Sequence, residues 1–430
     1  MPETEGALAA GQPHLAIVLL WYPLFTQPFI FREVESLAAR MTLEVYTLYG
    51  RNLRHCSGEM KMAAGRCHAY GSAKVGQICW EALCQVIRQP RVIWKLFRRS
   101  LWRKWTSLEV FGENLWAFLT GISLGRRFRE DGIDLVYAPW PRGAATAAWV
   151  GATLAGLPFA IAARGDNLEP ADPDLADKLA AAVLVRANNE ADRKRIELFD
   201  CGQAKGKTAL VYNSLTLPGP KRREAGMHSP LRLLSLGRFD VTKGFDVLLQ
   251  ACAILKRQGL DFRLTLAGGG GKVMGLGAMT GTLKEMRRGL GLEGDVEMPG
   301  LISHDDLPDL LASHDIFLAP CVIDSSGRRD GIPNTVIEAL AAGMPVIASD
   351  INALPEVVRN GETGVLVPQK DPAALARAIA DLSERPDEAA KLGKNGARLA
   401  AELFDAEANA ARLAEMLGKA ASREGTGCAG

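Results

Sequence analysis

Twice along this chain, short apolar runs alternate with amphipathic stretches of helical spacing, and no other pattern in the sequence limits the fold so tightly. In the first series Leu15 to Leu20 is a strand candidate, Phe29, Ile30, Val34, Leu37 and Ala38 recur at helical spacing, and Leu43 to Leu48 is a second strand candidate. Further strands are expected at Leu135 to Ala138, Phe159 to Ala163, Val183 to Ala187 and Thr208 to Val211. The second series runs through Leu231 to Leu236, a helical Phe245 to Lys256, Phe262 to Ala267, Val296 to Met298, Ile316 to Ala319 and Val346 to Ala348. Alternation of this kind predicts an α/β protein whose parallel sheets are covered on both faces. Between the two series, Pro218-Gly219-Pro220-Lys221-Arg222-Arg223 through Ser229-Pro230 interrupts the pattern as a linker does. The chain therefore divides into a domain at 1–217, a linker at 218–230, a second domain at 231–404, and a helical segment with a frayed tail at 405–430.

Composition narrows the class. The 430 residues, 48% hydrophobic and 23% charged, exclude a disordered, collagenous or polytopic membrane chain. A net charge of only +2 argues against a dedicated nucleic-acid binder. The eight cysteines form no Cys-x-x-Cys pair and no Cys/His group of zinc spacing, which predicts a reduced, cytoplasmic protein without a metal. Asp172-Pro173-Asp174 mimics an Asp-x-Asp metal site but reads as a cap or turn among prolines. The first residues carry Glu3 and Glu5 but no Lys or Arg, so a short disordered tail is expected in place of a secretory signal. Gly143 to Ala163 is uncharged, yet its small residues and the break at Gly156-Leu157-Pro158 fit a buried helix followed by a strand better than a membrane span.

Two parallel α/β domains leave a cleft between the C-terminal edges of their strands, where ligands of such sheets bind. The loop after the first strand of the second domain reads Gly237-Arg238-Phe239-Asp240-Val241-Thr242-Lys243-Gly244. Two cations stand there just before a helix whose free N–H groups favour anions, an arrangement that suits a diphosphate. A second stretch, Asp330-Gly331-Ile332-Pro333-Asn334-Thr335-Val336-Ile337-Glu338 through Gly343-Met344-Pro345, predicts a short helix capped by Asn334 and stopped at Gly343. Asp330 and Glu338 would both face the cleft, as acceptors for sugar or ribose hydroxyls. Gly268 to Gly271 lacks the dinucleotide Gly-x-Gly-x-x-Gly, and Gly202 to Thr208 is one residue short of a P-loop.

At these residues the sequence resembles glycosyltransferase family 4, retaining nucleotide-sugar enzymes of the GT-B fold, most specifically from Leu234 to Pro368. The resemblance implies two Rossmann-like domains facing across a cleft, with the C-terminal helix returning to the first of them. It implies that Arg238 and Lys243 hold the donor diphosphate, that Asp330 faces the transferred sugar where the family usually has Glu, and that Glu338 holds the ribose. Gly237, Gly331, Ile332, Pro333 and Asn334 would complete the donor site. Tyr22-Pro23-Leu24-Phe25-Thr26-Gln27-Pro28 is similar to the early loop of the colanic-acid or exopolysaccharide branch, which brings Phe25 and Thr26 toward donor and acceptor. Arg164 stands where many relatives place a donor-contacting His, and no histidine lies between His68 and His228. Arginine cannot act as a base at neutral pH but can donate to a hydroxyl or a phosphate.

The implied activity is metal-independent transfer of a sugar from a nucleotide-diphosphate sugar, a co-substrate rather than a cofactor, to a polysaccharide or lipid-linked glycan. Two alternatives stay open: a catalytically impaired nucleotide-sugar-binding or scaffold subunit, and a nucleotide-sugar epimerase of the same fold. Charge is uneven: residues 81–130 hold ten Lys/Arg and four Asp/Glu. From Arg88 to Lys104 there are seven bases and no acid, with Trp94, Phe97, Leu101, Trp105 and Leu108 on one helical stripe and Lys95, Arg99 and Arg103 on another. Segment 88–108 thus reads either as an anionic-membrane contact, peripheral on the inner face of the cytoplasmic membrane, or as a core helix with a solvated basic face.

Overall fold

In the computed structural model the described residues are 13–24, 27–53, 56–71, 74–105, 107–164, 171–199, 206–213, 226–269, 279–303 and 305–422. They form two units: one contains the chain up to Leu215 together with the segment from Ala406, and the other contains Thr216 to Asp405.

The first unit is built on seven strands: β1 (Leu15–Trp21), β2 (Leu43–Gly50), β3 (Cys67–Ala69), β4 (Leu135–Ala138), β5 (Phe159–Ala163), β6 (Leu184–Ala187) and β7 (Thr208–Leu210). Their order is β3-β2-β1-β4-β5-β6-β7, and every pairing is parallel. Strands β4 and β5 are buried throughout because helices cover both faces, which is why they read as unbroken apolar runs. The three-residue β3 has too little apolar content for a sequence pattern to mark it. The uncharged segment resolves into the helix Gly143–Ala155, a left-handed turn at Gly156, and β5. No helix among the described residues is long and apolar enough to cross a membrane.

The second unit repeats the plan with β8 (Leu231–Arg238), β9 (Phe262–Gly269), β10 (Val296–Glu297), β11 (Ile316–Ala319), β12 (Val346–Ser349) and β13 (Val365–Val367), ordered β10-β9-β8-β11-β12-β13. In both sheets the order reverses beside the first strand, and loops at the C-terminal edge of such a reversal are where doubly wound sheets place ligands. The helix Ala406–Ala421 belongs to the first unit, where Leu413, Leu417 and Ala420 join the core around Leu15 and Ile17.

Two features add to the sequence reading and one expectation needs correction. Residues 218–225 of the expected linker lie outside the described residues; at its end His228 Nδ1 lies 2.7 Å from Asp315 Oδ1, and Met227 packs on the second core. Asp174 takes the N-cap position of the helix Leu175–Ala181, in a turn as expected, but its side chain makes no capping hydrogen bond. Fully buried, it takes Lys178 as counter-ion at 2.8 Å, because a carboxylate withdrawn from water needs one. The basic segment is not one continuous helix: the helix Pro90–Ser100 ends before Leu101, and Leu108 opens the helix Leu108–Glu130. Arg99 lies 2.7 Å from Asp177 and Arg103 binds the same carboxylate, so these two are structural ion pairs and not a solvated or lipid-facing row.

The helices Leu108–Glu130 and Gly143–Ala155 cross at Gly121, where an added Cβ would stand 2.7 Å from Ala147 O and 2.9 Å from Val150 Cβ. Overpacking of such a crossing costs about 1–3 kcal/mol. Gly121→Val is therefore expected to lower the unfolding free energy of the first unit, read from urea denaturation, by that amount, whereas Gly112→Ala, on the same helix with open space around it, leaves it unchanged or raised.

Candidate functional site

The site in the second unit starts from an Asx turn. Asp240 Oδ1 accepts the Thr242 N–H at 3.1 Å, which coils Val241–Lys243 into one 3-10 turn and folds Lys243 back along the strand end. The lysine stem lies over Gly237, where a Cβ would come within 3.3 Å of it. Gly244 then adopts φ +63 and opens the helix Phe245–Arg257; a Cβ there would meet Pro320 O at 1.9 Å, so only glycine lets this turn approach the loop after β11. Val322 N–H closes that approach by donating to Thr242 O at 2.9 Å.

Asp330 arrives in the same place from the segment before the helix Asn334–Ala341. Its Oδ2 lies 3.1 Å from Lys243 Nζ and 3.3 Å from the Thr242 hydroxyl, and its Oδ1 lies 4.0 Å from Arg238 Nη2. Asn352 Nδ2 donates to the Asp330 carbonyl at 2.5 Å, and the Thr335 hydroxyl donates to Leu236 O at 3.3 Å, so the helix start is fastened to the end of β8. Burial alone would lower the Lys243 ammonium, but Asp330 outweighs it and holds the lysine above its ordinary range. Burial would likewise raise the Asp330 carboxyl, and Lys243 and Arg238 hold it below the usual carboxylate range. Both groups are ionised at neutral pH.

The acid and the cations, which the sequence assigned to separate parts of the ligand, are therefore one cluster. They touch, because Lys243 is only 9% exposed and a buried ammonium requires a counter-ion. Glu338 does not join them. Its side chain has no hydrogen bond and no ion pair among the described residues, and burial pushes its carboxyl up to about 7. Asn334 is the first residue of the helix and not its cap, a position taken by Pro333 in an extended conformation. Gly343 ends the helix as expected, left-handed, with its N–H on Leu340 O and that of Met344 on Ala339 O. Gly331 and Ile332 are partly buried and Pro333 is buried. Sequence reasoning missed Arg328, whose Nε donates to Asp324 at 2.8 Å and whose Nη1 lies 3.9 Å from Asp240. The signal was the Arg328-Arg329 pair just before Asp330.

Arg164 sits at the C-terminal edge of the first sheet and is 6% exposed. Its Nη2 donates to Glu33 at 2.8 Å, Nε to Pro139 O at 2.8 Å and Nη1 to Asn213 Oδ1 at 3.0 Å, while the rings of Phe29 and Trp140 flank it. Arg186, from β6, donates to the same Glu33 oxygen at 2.5 Å. Burial would raise the Glu33 carboxyl, but the two arginines bring it down to about 2. Arg164 is thus a positioning residue in this structure, with its guanidinium consumed by Glu33 and backbone. Phe25 and Thr26 lie outside the described residues.

Residues 221–399 match the family model described as Glycosyl transferases group 1. The chain is 30% identical over 224 residues to the "Putative colanic acid biosynthesis glycosyltransferase WcaL" of Escherichia coli K12, covering 52% of this chain and 53% of that protein. It is 35% identical over 164 residues to the "Amylovoran biosynthesis glycosyltransferase AmsK" of Erwinia amylovora, covering 38% of each. The match thus spans between two-fifths and about half the length of these curated relatives. Among solved structures, Anabaena Alr3699/HepE in complex with UDP superposes with a TM-score of 0.67 at 17% identity, over 95% of this chain and 100% of that one. Sucrose-phosphate synthase from Thermosynechococcus elongatus gives 0.68 at 20% identity, over 95% and 98%. Identities this low establish the fold.

Because the raised Glu338 carboxyl takes up its proton near pH 7 in the folded protein and near 4.5 when unfolded, its cost to stability is absent below about pH 4.5, grows as pH rises from there to 7, and is fully present above it. Glu338→Gln is expected to stabilise the second unit by on the order of 2 kcal/mol at pH 8 and by almost nothing at pH 4.5, read from urea unfolding at the two pH values. Equal effects at both would show that the carboxylate is not desolvated.

Proposed function

The chain carries a glycosyl transferases group 1 domain in a GT-B fold, and from that premise we propose that it is a glycosyltransferase of exopolysaccharide biosynthesis that takes its sugar from a nucleotide-diphosphate sugar. The observation that carries this reading is the Lys243–Asp330–Arg238 cluster at the point where the second sheet reverses its strand order. The cluster has one net positive charge and is held in place before any ligand arrives. A diphosphate is the complementary ligand, and HepE, similar in fold, was solved with UDP.

In the proposed reaction the bond between the anomeric carbon and the β-phosphate oxygen breaks, and negative charge grows on the departing diphosphate. Lys243 stabilises that charge without reorganising, since Asp330 already aims the ammonium, and the more exposed Arg238 turns toward it. The acceptor hydroxyl forms the new bond on the same face and passes its proton to the leaving phosphate, so configuration is retained and no protein base is required. That suits a first unit in which Arg164 is engaged with Glu33. Glu338, close to half ionised at neutral pH, accepts from the ribose hydroxyls. The acceptor is a growing or lipid-linked glycan, which places the enzyme in the cytoplasm at the inner face of the membrane. The burial of Arg164 also favours a second reading, a donor-binding subunit without transfer; it would bind nucleotide sugar and neither transfer nor hydrolyse it.

Calorimetry against UDP, GDP, ADP and their sugars tests the first reading. One nucleoside diphosphate is expected to bind, and Arg238→Ala, which leaves the Lys243–Asp330 pair intact, is expected to weaken it by about tenfold or more, with a matching loss of transfer. Affinity and transfer within a few-fold of wild type for both Arg238→Ala and Lys243→Ala would overturn the proposal.

A further inference from the structure

Away from the nucleotide site, the first unit exposes more apolar surface than solubility explains. Trp80, Leu83 and Ile87 on the helix Val75–Arg88, Trp94 on the helix Pro90–Ser100 and Trp102 just beyond it are each 53% to 73% exposed. Residues 80, 83 and 87 follow helical spacing, so they form one outward row and not scattered singletons. The helices Val75–Arg88, Pro90–Ser100 and Leu108–Glu130 also enclose a groove of about 450 Å³ lined only by apolar side chains, among them Leu83, Val86, Pro90, Trp94, Phe97 and Phe118.

Charge identifies what covers this face. Two bases of the segment, Arg99 and Arg103, are held by Asp177, but Arg88, Arg91, Arg98 and Lys104 are exposed and have no ion pair among the described residues. Arg91 and Arg98 flank Trp94 at three and four residues' distance, on the same outward row of the helix. An aromatic row with unpaired cations beside it and an empty apolar groove matches the boundary between acyl chains and phosphates of an anionic bilayer. A protein partner or a second copy would require acids to meet the four cations.

We propose that the helix pair Val75–Arg88 and Pro90–Ser100 is a docking face for an anionic lipid bilayer, with Trp80, Ile87, Trp94 and Trp102 entering the interface, an acyl chain occupying the groove, and Arg88, Arg91, Arg98 and Lys104 meeting lipid phosphates. It gives a location to the membrane association advanced under the proposed function, yet it uses no residue of the nucleotide site.

The test is flotation of the full chain with phosphatidylcholine vesicles, with and without phosphatidylglycerol, at low and high salt. The wild type is expected to float with the anionic vesicles and to be released by salt. Arg91→Glu/Arg98→Glu and Trp94→Ala/Ile87→Ala are each expected to cut partitioning about tenfold or more. All four positions are exposed, and unchanged thermal melting checks that the fold is kept. Binding that ignores phosphatidylglycerol, or that survives the charge reversal, overturns the proposal. So does absence of flotation, including the case in which light scattering finds a dimer that Trp80→Glu dissolves, since the face is then covered by a second copy. Nucleoside-diphosphate binding measured on the same variants separates the two proposals: loss of flotation with binding intact leaves the transferase reading untouched, and the converse leaves the membrane face untouched.

Discussion

A lysine ammonium taken out of water must be given a counter-ion, and the second unit is arranged around supplying one to Lys243. Asp330 comes from the segment between β11 and the helix Asn334–Ala341, while Lys243 comes from the turn after β8, so their contact joins the two loops that flank the reversal of strand order. The rest of the turn serves that contact. Asp240 coils it, Gly244 admits it to within reach of Pro320, and Val322 closes it with a backbone hydrogen bond. The outcome is a cation whose direction is fixed before a ligand arrives, which is the condition for electrostatic stabilisation without reorganisation.

The first unit carries a group of the same formal charge at the corresponding edge of its sheet: two arginines, Arg164 and Arg186, on one carboxylate, Glu33. Exposure separates the two groups. Glu33, Arg164 and Arg186 are each 6% exposed or less, and the arginines also donate to Pro139, Val211 and Tyr212 carbonyls, so that charge is spent on holding backbone. In the second unit the Arg238 side chain is 44% exposed and makes its ion contact only at 4.0 Å, which leaves it able to turn toward an anion. Two clusters of equal formal charge therefore have different uses, and burial decides between them.

The parts of the structure legible in sequence are those governed by local pattern. Apolar runs marked β1, β2, β4, β5, β8, β9, β11 and β12, since strands buried on both faces need no alternation to be recognised. The sequence singled out Gly237, Arg238, Lys243 and Asp330 as a small residue and charges in loops near strand ends, and the structure brings the three charged groups together. Pairing between distant segments was not legible. Nothing in the spacing of Lys243 and Asp330 says that they touch, nor that Arg164 finds Glu33 far back along the chain, nor that Asp177 takes Arg99 and Arg103 out of the basic stripe. Each of those contacts changes the role of a residue that the sequence had singled out.

Glu338 is the exception that compensation does not explain. Its neighbours on the helix, Val336, Ile337, Ala339 and Leu340, are buried, and no cation or donor among the described residues answers its carboxylate, so the fold keeps it at a cost. The acids Glu33, Asp174 and Asp330 each have a cation within 3.1 Å. A lone uncompensated acid in a fold that pairs the others reads as a group waiting for donors from outside the chain. Hydroxyl donors are the fitting kind. They stabilise the carboxylate by hydrogen bonds without bringing a charge that would compete with Asp330 for Lys243, and they would draw its titration below 7 as they bind.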